Sequence, residues 1–202
     1  MTGRFIVFEG GEACGKSTQA QALAASLDAV LTREPGGTAI GDRLRSLLLD
    51  PATTGLDGRA EALLMAADRA QHLAEVVRPA LESGRHVVSD RSAFSSLAYQ
   101  GYGRGLPLDE IRHLSDWASA GVWPDLVVLL EVAPAVAAAR LGPGLDRMEQ
   151  LGDEFHQRVA DGFRAMAAAD PDRWVALDGG RTVDEVGEAV RASVRQRLQL
   201  QV

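Results

Sequence analysis

Short, continuously apolar runs alternate along the chain with segments in which apolar residues recur every three or four positions. Phe5-Ile6-Val7-Phe8, Ala29-Val30-Leu31-Thr32, His86-Val87-Val88-Ser89, Leu126 to Val132 and Trp174-Val175-Ala176-Leu177 have the length and uniformity of buried strands. Lys16 to Leu27 reads as a helix between the first two. Thr38 to Leu49 is helical as well, with Ile40, Leu44, Leu47 and Leu48 on one face. From Arg59 to Leu81, the spacing of Leu63, Ala67, Ala70, Ala74 and Val77 predicts a long amphipathic helix, bent near Pro79. A last helix starts at Thr182-Val183-Asp184-Glu185, a capping-box spacing, and is expected to bury Val183, Val186, Val190, Val194 and Leu198. Strands without polar alternation, separated by helices, predict an α/β fold: a five-stranded parallel sheet covered by helices on both faces. No internal repeat or linker divides the chain, so residues 1–202 are expected to form one domain. Leu141-Gly142-Pro143-Gly144 is the most flexible-looking break between two helices, and residues 141–149 are read as a short lid.

Composition narrows the function. The 202 residues suffice for a full hydrophobic core, and 46% hydrophobic with 24% charged residues is ordinary for a globular chain. A net charge of −7 argues against binding a nucleic-acid polymer, which needs many clustered cations. It leaves room for a small phosphorylated ligand held by a few arginines. One cysteine excludes an intramolecular disulfide, and no Cys/His cluster has zinc spacing. Apolar runs fall short of a membrane span, and Met1-Thr2-Gly3-Arg4-Phe5 leads directly into the first strand. A cytoplasmic protein without membrane contact is expected.

Lys16 is the only lysine and Cys14 the only cysteine, and they lie two residues apart. Gly10-Gly11-Glu12-Ala13-Cys14-Gly15-Lys16-Ser17 matches G-x-x-x-x-G-K-[ST] in full, between a strand and a helix. Glycines let such a loop turn its N–H groups inward around phosphate oxygens, and the helix N-terminus adds partial positive charge. Lys16 is expected to reach the β- and γ-phosphates, Thr18 to complete the loop's nucleotide contacts, and Ser17 to bind Mg²⁺. Cys14 invites a redox role, but without a resolving cysteine it reads as a small side chain in a tight turn. A guanine-reading Asn-Lys-x-Asp element would need a second lysine, so a guanine-nucleotide switch is excluded. A small kinase also needs ligands for a second phosphate, and the forked guanidinium of arginine suits that task.

Further segments carry a resemblance. Phe8-Glu9-Gly10-Gly11-Glu12, Thr32-Arg33-Glu34-Pro35-Gly36-Gly37-Thr38, Asp68-Arg69-Ala70-Gln71, Asp90-Arg91-Ser92, Ala98-Tyr99-Gln100-Gly101 and Leu145-Asp146-Arg147-Met148-Glu149 follow the order seen in bacterial thymidylate kinases. The chain resembles that family over nearly its whole length. The resemblance implies the P-loop NTPase fold, transfer of the γ-phosphoryl group of ATP to dTMP with Mg²⁺, and a homodimer formed through helix faces. It assigns Glu12 to the 3′-hydroxyl of the acceptor. Arg91 would bridge donor and acceptor phosphates, and Asp90 would orient Arg91 or hold Mg²⁺ through water. Arg33, Pro35 and Gly36 belong to the loop beside the acceptor phosphate, which Arg45 either reaches or leaves for solvent. Arg69 would hydrogen-bond the thymine carbonyl, with Ser95, Tyr99 and Gln100 around sugar and base. Met65 stands where the family usually has a stacking Phe. The charge-stabilising arginine that some members carry in the phosphate loop is replaced by Ala13, which leaves Arg140 and Arg147 beside the lid for that role. Glu131 stands where the family often has Asp. A deoxynucleoside kinase acting on a free 5′-hydroxyl, which also suits Asp-Arg-Ser, and an ATP-binding regulatory switch are the alternatives.

Overall fold

A computed structural model describes residues 3–142 and 144–202. The readings at Met1, Thr2 and Pro143 fall outside the described residues. The elements are β1 (Phe5–Glu9), α1 (Lys16–Leu27), β2 (Val30–Arg33), α2 (Ala39–Leu49), α3 (Gly58–His72), α4 (Arg78–Glu82), β3 (Val87–Asp90), α5 (Ala93–Ser96), α6 (Leu108–Ser119), β4 (Leu126–Glu131), α7 (Pro134–Arg140), α8 (Asp153–Ala169), β5 (Trp174–Asp178) and α9 (Val183–Leu198). All five strands run parallel in the order β2-β3-β1-β4-β5.

Strand alternation divides the core. Ile6 and Phe8 pack with Ala20, Leu23, Val190 and Val194, from α1 and α9 on one face. Phe5 and Val7 point the other way, against Leu73 and Val77. Val127 and Leu129 join Phe94, Phe163 and Trp174 in the largest cluster on that second face. The register places Arg33 opposite Asp90 and Asp90 opposite Phe8, so the carboxyl ends of β2, β3 and β1 finish level. Ligands bind at that edge of an open parallel sheet, in the gap between strands whose connections leave in opposite directions.

The helices depart from the periodicity in three places. The long helix is a run of α3, a π-helical stretch (Leu73–Val77) and α4. The widened turns lie just before Pro79, which has no N–H for a regular α-helical bond. Second, Leu63 is 59% exposed and Ala67 and Ala74 also face outward. α3 instead buries Glu61, Ala62, Ala66, Asp68, Arg69 and His72. Asp68 and Arg69 of this inner face line a cavity, Glu61 and His72 lie behind it, and each of the four has a hydrogen-bond partner. Third, Ile40, Leu47 and Val183 are exposed, while Leu48 carries the packing of α2. The Thr182–Glu185 capping box forms as its spacing predicts. No helix among the described residues is long and apolar enough to cross a membrane.

Candidate active site

The phosphate-binding loop joins β1 to α1. Gly10 has φ 140° and lies so close to the Leu130 carbonyl of β4 that a Cβ would collide with it. Gly15, with φ 95°, turns the chain into α1. Lys16 is 7% exposed and folds over the loop, donating from Nζ to the Gly11 carbonyl. The Cys14 thiol donates to the same carbonyl at 3.1 Å and is buried, consistent with a small side chain filling a tight turn. Ser17 Oγ donates to Asp90 Oδ2, while Asp90 Oδ1 is buried without a partner. A hydroxyl beside a half-satisfied carboxylate suits Mg²⁺, which takes oxygen ligands and is commonly held by one or two protein groups plus phosphates. No denser cluster of potential metal ligands occurs among the described residues.

Arg91 ends the neighbouring strand in the left-handed region, with φ 72°. An arginine adopts this backbone only where its surroundings enforce it. Its own N–H reaches the Phe8 carbonyl at 2.9 Å, and Ser89 Oγ donates to its carbonyl at 2.8 Å. The guanidinium is thereby aimed into the site, donating to the Gly10 carbonyl at 3.0 Å, to Glu12 at 2.8 Å and to the Tyr99 hydroxyl at 3.0 Å. Tyr99 donates in turn to Glu12. Burial raises the Glu12 carboxyl, but Arg91 and Lys16 outweigh it and hold the group at about 2. Glu12 is therefore an ionised acceptor at neutral pH. Behind Arg91, Glu9 accepts from the N–H and hydroxyl groups of both Ser92 and Ser95, and burial pushes it up to about 7.

Two cavities meet here. One follows the phosphate loop and is bordered by Lys16, Ser17, Thr18, Arg33, Asp90 and Arg140. The other is lined by Pro35, Met65, Arg69, Ser95, Tyr99 and Gln100. Glu12, Glu34, Arg45, Arg91 and Asp146 border both. Burial lowers Arg45 below its usual value, and the positive charges of Arg33 and Arg91 lower it further. An anion placed among these guanidinium groups relieves that repulsion.

The wall of this second cavity rests on buried ion pairs. Arg69, 3% exposed, donates from Nε to Glu34 at 3.0 Å and from Nη2 to Ser96 at 2.8 Å. His72 bonds Glu34 at 3.0 Å and Thr32 at 2.6 Å. Burial raises Glu34, and Arg69 with His72 brings it below the usual carboxylate range. Asp68 accepts the Gly36 N–H at 2.8 Å and so fixes the turn after Pro35. Arg45 donates to the Pro35 carbonyl at 2.9 Å.

The structure separates Arg140 and Arg147, which flank segment 141–149. Arg140 reaches the Gly179 carbonyl at 2.9 Å and the Ala13 carbonyl at 3.4 Å, beside the phosphate loop. Arg147 borders neither cavity. It donates to the Leu48 carbonyl at 2.6 Å and pairs with Glu61 at 2.7 Å, on the outer side of the second cavity's wall. Arg33 borders the phosphate-loop cavity and pairs with Asp42, 3.0 Å away. Gly36 lines neither cavity, and its N–H is committed to Asp68. Glu131 pairs with Arg164 of α8 at 2.7 Å.

Several site residues escape the sequence reading. Gly179, Arg181, Val183 and Val186 border the phosphate-loop cavity. Val183 carries the apolar spacing of a core residue, yet it opens a helix at the cavity rim. Glu61, 0% exposed, is the other omission. It carries no sequence signal, because the apolar spacing of α3 marks the outward face.

Residues 8–190 match the family model described as thymidylate kinase. The thymidylate kinase of Solidesulfovibrio magneticus is 49% identical over 208 residues, covering 96% of this chain and 100% of that protein. The thymidylate kinase of Bifidobacterium longum strain NCC 2705 is 46% identical over 204 residues, covering 97% and 99%. The crystal structure of the Ehrlichia chaffeensis thymidylate kinase superposes with a TM-score of 0.79 at 32% identity, covering 96% of this chain and 99% of that one.

Proposed function

This chain belongs to the thymidylate kinase family, and we infer that it transfers the γ-phosphoryl group of ATP to dTMP, giving dTDP and ADP for dTTP synthesis. The observation that carries this reading is the junction at Arg91 and Glu12, where the cavity along the phosphate loop opens into a second cavity lined by polar side chains, Met65 and Tyr99. A phosphoryl group passing between two bound nucleotides has to cross such a point. Lys16 and the loop N–H groups hold the β- and γ-phosphates. Ser17 and Asp90 would hold Mg²⁺, which supplies charge neutralisation of the phosphates when bound. Arg91, fixed by strand and loop, spans donor and acceptor sides without reorganising during transfer. Arg140, at the Ala13 carbonyl, is the lid arginine placed to stabilise developing charge. Arg147 anchors the lid segment 141–149 to the domain it closes. Glu12, charged and held by Tyr99 and Arg91, accepts from the sugar 3′-hydroxyl and fixes its pose, while Tyr99, beside the 2′ position, favours a deoxynucleotide by steric exclusion. Arg45 meets the acceptor phosphate, and Arg69 meets the base. The reaction is placed in the cytoplasm, where ATP and the acceptor are available.

The chain is proposed to work as a homodimer. Ile40 and Leu47 of α2, Leu63 of α3 and Trp117 of α6 are 51%, 46%, 59% and 80% exposed. These three helices pack side by side. Apolar surface gathered on adjacent helices is stabilised by a second copy. Sedimentation of the purified protein tests this: a dimer is expected, and Leu63→Glu should yield monomer. A parent that sediments as a monomer contradicts it.

Steady-state assays with ATP–Mg²⁺ and a panel of nucleosides and nucleoside monophosphates test the reaction. The highest kcat/KM is expected for dTMP. Good turnover of thymidine with none of dTMP would make the protein a deoxynucleoside kinase.

A further inference from the structure

Resting on the dTMP kinase reading, we propose that Glu61 is a positioning residue for base selection, turning the amide of Gln100 so that its carbonyl oxygen is offered to the acceptor base. Glu61 sits near the start of α3, fully buried, and borders neither cavity. Its carboxylate accepts from Gln100 Nε2 at 2.9 Å, from Arg104 Nη2 at 2.9 Å and Nε at 3.2 Å, and faces Arg147 Nη2 at 2.7 Å. Burial disfavours its charge, and the hydrogen bonds from Arg104, Gln100 and Arg147 restore it, leaving the group below its ordinary value. An ionised carboxylate has no proton to give, so Gln100 meets it only with its NH₂ group.

The other end of the amide follows from that constraint. Gln100 is 1% exposed and lines the acceptor cavity. No protein donor among the described residues satisfies its Oε1. Arg69 lines the same cavity as a pure donor. An acceptor and a donor lining one cavity match an imide edge, in which a ring N–H adjoins a carbonyl. Thymine and uracil carry that edge. Cytosine presents the reverse, a ring-nitrogen acceptor beside an amino donor, and leaves both protein groups facing their own kind. Without Glu61 the Gln100 amide could rotate and offer its NH₂ group to cytosine. The same carboxylate holds Arg147, so the base-reading amide and the lid segment share one buried anchor.

The experiment compares kcat/KM for dTMP and dCMP in the parent and in Glu61→Gln. A glutamine at 61 presents either donor or acceptor to Gln100 and frees it to flip. The dTMP:dCMP ratio is expected to fall by about 10- to 100-fold, the scale of a buried group left facing its own kind. In a Gln100→Leu background, which has no amide to orient, the same change should leave the ratio where it was. Glu61→Asp keeps the charge facing Arg104 and Arg147 but withdraws it from Gln100. It serves where Glu61→Gln does not fold, and it too should lower the ratio. A purely structural role slows both substrates together, so an unchanged ratio in these variants overturns the proposal. A parent without dTMP turnover overturns the kinase reading instead, independently of Glu61.

Discussion

The two halves of the site are built on opposite plans. The donor side centres on one continuous stretch from Gly10 to Ser17, in which local backbone geometry makes the phosphate-binding surface and distant segments add only its rim. The acceptor side is assembled from distant segments: Glu34 with Arg69, Glu61 with Gln100, Arg147 with the Leu48 carbonyl. A loop of backbone donors binds phosphate whatever carries it, which serves a donor site that reads a triphosphate. A base must be read by side chains of fixed direction, and fixing them takes buried counter-charges. The donor half therefore depends little on its surroundings, whereas the acceptor half is entangled with the stability of the domain.

That contrast is open to measurement. Lys16→Ala should lower kcat by about 10³-fold or more, the scale of removing a phosphate-stabilising cation. Its melting temperature should stay near that of the parent, because the ammonium bonds only groups of its own loop, the Gly11 carbonyl and the Cys14 thiol. A variant with near-normal turnover would break the donor half of the comparison.

Arg69→Met should behave differently. It leaves Glu34 buried with only His72 beside it, a change that costs about 3–5 kcal/mol. Denaturant unfolding is expected to show that loss, and assays a raised KM for dTMP. If Arg69→Met loses dTMP affinity but keeps full stability, the acceptor half is no more entangled with the fold than the donor half.

Asp68 gives a pH test of the same point. Burial raises its carboxyl from 3.8 to about 7, and the nearby Glu34 adds to the rise. A group with a raised folded pKa contributes fully below its unfolded value and loses that contribution as pH climbs through the folded one. Between pH 3.8 and about 7 the parent should therefore lose stability relative to Asp68→Asn. Unfolding curves across that window check this, and parallel pH profiles would contradict it.

The smallest effect belongs to Met65, which lines the acceptor cavity without an ion pair. Met65→Phe should lower KM for dTMP several-fold, in line with about 0.5–1.5 kcal/mol for a favourable aromatic contact. A raised KM would show that the thioether is fitted to the base.

The same division governs what was legible in the sequence. The strands and the phosphate loop follow from local patterns, since apolar runs and a glycine-lysine spacing act through neighbouring residues. α3 was legible as a helix but not in its orientation. The regular spacing of Leu63, Ala67 and Ala74 marks an outward face, while Glu61, Asp68 and Arg69 turn inward. Hydrophobic periodicity assumes that buried means apolar, and that assumption fails where each buried charge finds a partner far along the chain. Arg140 and Arg147 were indistinguishable for a related reason. Which one faces the phosphate loop depends on Glu61 and the Leu48 carbonyl, and no spacing in the lid encodes either. Val183 looked like core because a helix's first turn carries the same spacing whether it faces the sheet or a cavity.

The central claim is that Arg91 and Glu12 mark where a phosphoryl group crosses from one nucleotide to another. Phosphorus NMR of the protein with ATP, Mg²⁺ and dTMP tests it most directly. The account predicts that dTDP and ADP appear in equal amounts, that dTMP and ATP decline together, and that free phosphate stays at background. ADP accompanied by inorganic phosphate, with dTMP untouched, would contradict it.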